Sequence, residues 1–269
     1  MHITKSEGKI LKTFLNQGKQ CFTPANVRNE FSFDNQIYLS QLLLKMVQKG
    51  SLIRLSKGLY YIVPLGENPE YFIPNWHLVV KYLIKDRKYY IAYYSALQIH
   101  NLITQASLTE YIVTDVQIKE NKIKIKNADF QFIFHNSKKF FGFKDIWIND
   151  HDKVKCSDLE KTLVDCLINT NYAGGILEIG KTLYKAKNNI NYQKILDYFN
   201  KVDNNASMKR FGFLCEVLIK IPIIEEIKQK RINSISLLDI SQANEGKINT
   251  KWGLKINFDL NTLEQGIFT

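Results

Sequence analysis

Arginine is scarce in this chain: of 37 basic residues only five, at positions 28, 54, 87, 210 and 231, are arginine. Against 26 acids the formal net charge is still +11 and the pI about 9.3. Such a balance favours a polyanionic partner. Lys, Asn and Ile all have A·T-rich codons, so the base composition of the coding sequence is a second source of that charge. Cysteine is sparse as well. Cys21, Cys156, Cys166 and Cys215 are widely spaced, with no C-x-x-C and no His pair at ligand spacing, so no disulfide frame, metal site or cofactor is expected. The N-terminus has no apolar signal core, and no apolar run approaches the ~18–20 residues that span a bilayer. A cytoplasmic protein with no membrane partner is the expectation.

What is present is a chain of 269 residues, 45% hydrophobic and 12% aromatic, enough for one large domain or two ordinary ones. The distribution of charge says more than its total. Residues 1–66 hold nine Lys or Arg against three acids, a net of +6, which leaves only +5 for the other 203 residues.

Thr4 followed by Glu7 reads as a capping box opening a first helix, with Ile10, Leu11, Phe14 and Leu15 on one face and Gly18 ending it. Phe22-Thr23-Pro24 supplies an N-cap and a proline at the first turn of a short second helix, whose Val27 and Phe31 face inward. A third starts near Asp34 or Asn35. Its Leu39, Leu42, Leu43 and Met46 recur at i, i+3, i+4 and i+7, and Gly50 stops it. Two β-rich runs, 51–55 and 59–63, flank Ser56-Lys57-Gly58, a tight hairpin. Helix, helix, helix, hairpin is the order of a winged helix-turn-helix, so residues 1–66 are predicted to be a DNA-binding domain of that type.

With its leucines buried, the third helix leaves Gln36, Ser40, Gln41, Lys45 and Gln48 on or beside the solvent face. Gln and Ser have the groups to read base edges, whereas Lys45 and Lys49 suit phosphates. Arg54, Lys57 and Tyr60 would set the wing on the adjacent backbone or minor groove. An exposed polar helix that binds only protein is the competing account.

Residues 67–73 read as a connector. Helices are predicted over 75–84, 93–102, 157–168, 175–187, 192–199 and 207–219, and strands over 108–114, 122–126, 130–135, 145–148, 236–238 and 251–258. Lys122-Ile-Lys-Ile-Lys126 alternates strictly, so one face of its sheet meets water. The expected class is α+β, with a second domain over 67–269 built on a central, mainly antiparallel sheet with helices after it.

Several segments carry a resemblance. Arg54-Leu-Ser-Lys-Gly58-Leu-Tyr60, Tyr94-Ser-Ala-Leu97 with His100, and Ser157-Asp-Leu-Glu-Lys-Thr-Leu-Val-Asp165 resemble the AbiEi antitoxins of type IV toxin–antitoxin systems. So do Tyr172-Ala-Gly-Gly175, Lys209-Arg-Phe-Gly-Phe-Leu-Cys-Glu216 and Lys251-Trp-Gly-Leu-Lys-Ile-Asn257. The resemblance runs through nearly the whole chain in order. It implies a winged-helix autorepressor on inverted repeats of double-stranded DNA in its own promoter, and because two half-sites multiply specificity a symmetric pair or two monomers is expected there. It also implies a C-terminal domain that counters a nucleotidyltransferase toxin, and no enzymatic activity.

Other motifs point elsewhere. Gly175-Ile-Leu-Glu-Ile-Gly180-Lys181-Thr182 matches the P-loop pattern letter for letter, yet it follows a predicted helix and its variable positions are bulky. A nucleotide-using enzyme or a nuclease targeted by the winged helix is thus the alternative function, and a protein-interaction adaptor another. Ser157-x-x-Glu160 reads as a capping box, Asp165 as an ion-pair partner, and His100 and His135 as hydrogen-bonded, half-buried histidines. Lys209 and Arg210 open a helix capped by Ser207. Cations there are mildly unfavourable, which calls for an internal carboxylate, a DNA phosphate or toxin-bound RNA.

Overall fold

A computed structural model describes residues 3–31, 35–84, 87–105, 107–219, 221 and 234–268. The fold is mixed α+β, and the chain divides into two compact units. One comprises Met1–Asp86, Ile123–Asp129 and Ile146–Val154, the other Arg87–Lys122, Phe130–Asp145 and Lys155–Thr269.

In the first unit, α1 (Lys5–Asn16) is opened by the expected reciprocal cap. Thr4 N–H donates to Glu7 Oε2 at 2.7 Å, and Glu7 N–H donates to Thr4 Oγ1. Helix α2 (Pro24–Glu30) repeats the device with Thr23 and Asn26, and Pro24 occupies the first turn. Asn35, whose side chain accepts from the N–H groups of Ile37 and Tyr38, caps α3 (Gln36–Gln48). Gly50, at φ +75°, lets the chain leave α3 in a conformation that disfavours a Cβ. Strands β1 (Cys21–Phe22), β2 (Leu52–Ser56) and β3 (Leu59–Ile62) form a sheet in the order β1-β3-β2. Strands β2 and β3 are antiparallel, and Gly58 at φ +77° turns between them. Ile10, Phe14, Phe22, Val27, Leu39, Leu43, Met46, Leu52 and Ile62 share one core. There the rings of Phe14 and Phe22 stack at 4.6 Å, a pair worth about 1 kcal/mol beyond its buried area. Helix α4 (Trp76–Ile84) follows, and Asn75 at its start donates its N–H to the Tyr61 hydroxyl.

The remaining chain builds a six-stranded sheet from β4 (Tyr89–Ile91), β5 (Thr109–Thr114), β6 (Lys122–Ile125), β7 (Ala128–Phe134), β8 (Phe143–Trp147) and β9 (Lys153–Ser157). Its order is β6-β7-β5-β4-β9-β8, with β4 antiparallel to β5 and parallel to β9. In β6 Lys122 and Lys124 are exposed while Ile125 is buried, so one face does meet water. Helix α5 (Tyr93–Ile99) follows β4 directly. After β9 come α6 (Leu159–Ile168), a 3-10 turn (Thr170–Ala173), α7 (Gly175–Ala186), α8 (Tyr192–Val202) and α9 (Asn205–Leu214), whose last turn relaxes into a π-helical one (Cys215–Ile219). A small sheet of β10 (Ser236–Leu237), β11 (Lys247–Asn249) and β12 (Leu254–Ile256), then α10 (Leu260–Phe268), complete it. The core of this second unit gathers Tyr90, Leu97, Leu163, Leu167, Ile176, Leu183, Phe199, Phe211 and Trp252.

Two caps differ from expectation. Asp158, not Ser157, opens α6, accepting from Lys161 N–H at 2.9 Å. Glu160 is therefore no capping-box residue, and its carboxylate accepts from Asn191 N–H and Lys194 Nζ. Likewise Asn204, not Ser207, caps α9. In both stretches several cap-forming residues stand close together, and the chain uses the one whose carbonyl side begins the helix.

Candidate nucleic-acid interface

Helix α3 buries Leu39, Leu42, Leu43 and Met46 and turns Gln36, Ser40, Gln41, Lys45 and Gln48 to solvent. These polar side chains therefore share a surface, as their spacing predicts. Ser40 is partly engaged, because its hydroxyl donates to the Gln36 carbonyl at 2.9 Å. The same surface carries three apolar side chains that the leucine periodicity leaves unmarked: Ile37 is 70% exposed, Leu44 52% and Tyr38 47%. Helical spacing was the signal that could have found Ile37 and Leu44, since they fall with Gln41 opposite the leucine stripe.

Lys49 is not free beside this face. Its ammonium is ion-paired to Glu7, at 2.8 Å from each carboxylate oxygen. Burial pushes the Glu7 carboxyl up, but the bonds from Lys49 and Thr4 outweigh it and hold the group below its ordinary value. A groove of about 560 Å³ lies between the first turn of α1 and α3, lined by Thr4, Lys5, Ser6, Tyr38, Gln41 and Lys45 among others. On the β2–β3 hairpin, Arg54 and Lys57 are exposed, and Arg54 Nε reaches the Ser56 carbonyl at 3.4 Å. Tyr60 is not at the surface. It is 8% exposed and stacked on Phe22, because β3 is buried on both its faces. Exposed amides and cations on one helix and one hairpin suit a polyanion with readable edges.

Lys209 and Arg210 belong to the second unit and are buried. Lys209 Nζ donates to the carbonyl and hydroxyl of Ser234, and Arg210 donates to the carbonyls of Leu167 (2.7 Å) and Leu237 (2.9 Å). Burial lowers the Arg210 pKa to about 10, and the Asp239 charge opposes that shift.

The P-loop-like letters lie on a helix. Gly175, Gly180, Lys181 and Thr182 all belong to α7, and the Ile176 N–H at its start donates to Asp239 Oδ2 at 2.8 Å. Asp239 also accepts from Thr170 Oγ1 and Ser241 N–H, so the positive end of α7 already holds a carboxylate. Lys181 pairs with Glu178 at 2.9 Å.

Among the described residues of the second unit, a set of titratable groups is interior. Lys161 and Asp165 form an ion pair with both side chains fully shielded. The Tyr90 hydroxyl accepts from Lys161 Nζ at 3.0 Å and donates to Asp165 Oδ2 at 3.3 Å. His135 lies between the hydroxyls of Tyr90 and Tyr93, 3.0 Å from each. Burial lowers the His135 pKa to about 4 and raises both tyrosines well above their ordinary value. Lys161 is lowered by burial against the pull of Asp165. His100, half-buried, is held by the Ser157 carbonyl at 2.8 Å. These contacts make a satisfied polar tie within the second unit. All four cysteines are free and buried. Among the described residues no group of three or more His, Cys, Asp or Glu could hold a metal, and no helix is long and apolar enough to cross a membrane.

No protein-family model and no curated protein matches the chain. Among solved structures it is similar to the RV2827C protein from Mycobacterium tuberculosis, with a TM-score of 0.72 over 100% of this chain and 96% of that one. At 11% identity, the likeness is one of fold alone.

Proposed function

We propose that residues 1–66, within the first unit, are a winged helix-turn-helix that binds duplex DNA with sequence preference, and that the chain is a transcriptional autorepressor. The observation that carries this reading is the pairing of two exposed elements. Helix α3 offers Gln36, Gln41 and Gln48 beside Lys45, and the β2–β3 hairpin offers Arg54 and Lys57 as a wing. Glutamine amides are suited to base edges and lysines to phosphates, and a local net charge of +6 over residues 1–66 favours the approach. The resemblance to AbiEi antitoxins extends the proposal: the remainder of the chain counters a nucleotidyltransferase toxin.

Footprinting on the upstream promoter of its own gene tests the repressor. Protection of an inverted repeat at ~150 mM salt, well above binding to random duplex, is the expected result. Equal binding to both rejects it. Co-expression with a neighbouring nucleotidyltransferase gene tests the antitoxin, with rescue from growth arrest as the expected result and unrelieved arrest against it.

A further inference from the structure

We infer that α3 selects an A·T-rich half-site, with Ile37 and Leu44 packing against thymine methyl groups and Gln41 and Gln48 pairing with adenine edges. This rests on the DNA-binding reading above and specifies the sequences that such a module would choose.

Ile37, Gln41, Leu44 and Gln48 are spaced i, i+4, i+7 and i+11, so they run as one stripe down the helix. That stripe faces away from the buried Leu39, Leu42, Leu43 and Met46. A single exposed aliphatic residue needs no explanation. Here two of them, 70% and 52% exposed, alternate with two exposed amides at the centre of the face. In the major groove the thymine C5-methyl is the apolar feature, and adenine N6 and N7 together take a glutamine amide. Alternating aliphatic and amide groups therefore match alternating T and A features. Guanine is read mainly by arginine or lysine forks, and the stripe contains neither. Lys45 sits to one side of it with Tyr38, bordering the groove that also holds Lys5, where a phosphate strand would run. Those flanking cations favour a polyanionic occupant over an apolar protein surface.

The test uses the full chain and a pool of random-sequence duplexes. After selection, each thymine of the enriched duplex is replaced by uracil, which removes only the methyl group. An A·T-rich half-site should emerge, and uracil at a contacted position should weaken binding about fourfold, the worth of one buried methyl. Ile37→Ala or Leu44→Ala should then bind the thymine and uracil forms of its position equally. An unchanged melting temperature would show that the variant is folded. Specific binding that ignores uracil at every position, or a G·C-rich half-site, overturns the inference and leaves the DNA-binding reading standing. No enriched sequence at all, with self-association that Ile37→Ala and Leu44→Ala abolish, overturns both and places a second copy of the chain on α3.

Discussion

The Lys49 ammonium grips both oxygens of Glu7, so the C-terminal cap of α3 is ion-paired to the first turn of α1. Glu7 is almost wholly buried and also takes the Thr4 N–H, whereas Lys49 keeps a third of its side chain in water. The pair joins the helix that carries the candidate interface to the helix that packs behind it.

Lys49→Ala strands that buried carboxylate and should cost about 1–2 kcal/mol of unfolding free energy near pH 7, read by urea denaturation. The folded-state pKa of Glu7 is depressed, so the stabilisation exists above the unfolded value and is lost as pH falls below about 4. Parent and variant should therefore converge in acid. A constant gap down to pH 3 would mean that the carboxylate is not the partner that matters.

Lys57 and Gln41 should separate affinity from specificity. Lys57→Ala, on the hairpin turn, should weaken all duplexes alike and reduce the salt slope of binding by about one. Gln41→Ala should lower affinity for the selected duplex about tenfold while leaving random duplex unchanged. Because Lys49 is already ion-paired to Glu7, Lys49→Ala should leave the salt slope where it was.

His135 makes the second unit acid-sensitive. It is 4% exposed and its folded pKa is about 4, below the ~6.5 of an unfolded histidine. The unfolded chain thus takes up the proton first. Stability is intact above pH 6.5 and falls as pH drops toward 4, by up to about 3 kcal/mol from this group. The shift of His100 has the same direction and adds to the slope. Unfolding curves from pH 7 to 5 should show the decline, and His135→Gln should flatten it.

The buried pair on α6 should behave asymmetrically. Asp165→Ala leaves the Lys161 ammonium enclosed without its counter-charge and should cost about 3–5 kcal/mol. Lys161→Met together with Asp165→Leu should recover most of that loss. Thermal melting of the parent and both variants is sufficient, and equal losses in the single and the double variant would argue against this account.

Thr182 distinguishes a helix interior from a phosphate loop. Its side-chain oxygen is buried and has no hydrogen-bond partner among the described residues. Thr182→Val should leave stability unchanged or raise it by about 1 kcal/mol. ATP binding by the parent, measured calorimetrically and lost in Lys181→Ala, would instead revive the nucleotide reading.

Much of the first unit was legible because its signals are local. Thr4 with Glu7, Thr23 with Pro24, and the leucines of α3 each fall within one or two helical turns. Strands β4 and β9 escaped notice because the first is a three-residue apolar stretch and both gain their identity from distant partners. Tyr60 was misplaced because alternation implies a wet face, and β3 has none. On α3 the polar side chains were legible, while Ile37 and Leu44 were not, since the i, i+3, i+4, i+7 pattern marks the apolar residues that face inward and leaves the others unassigned.

The carboxylate at the start of α7 arrives from far along the chain: Asp239 meets Ile176 across 63 residues. Translation proceeds from the N-terminus, so α6 and α7 are already synthesised while that anion is not. The positive end of α7 then stays open until residue 239 has left the ribosome. The second unit should therefore reach its final form late, and a chain truncated before residue 239 should be more open to proteolysis at 170–176 than the full chain.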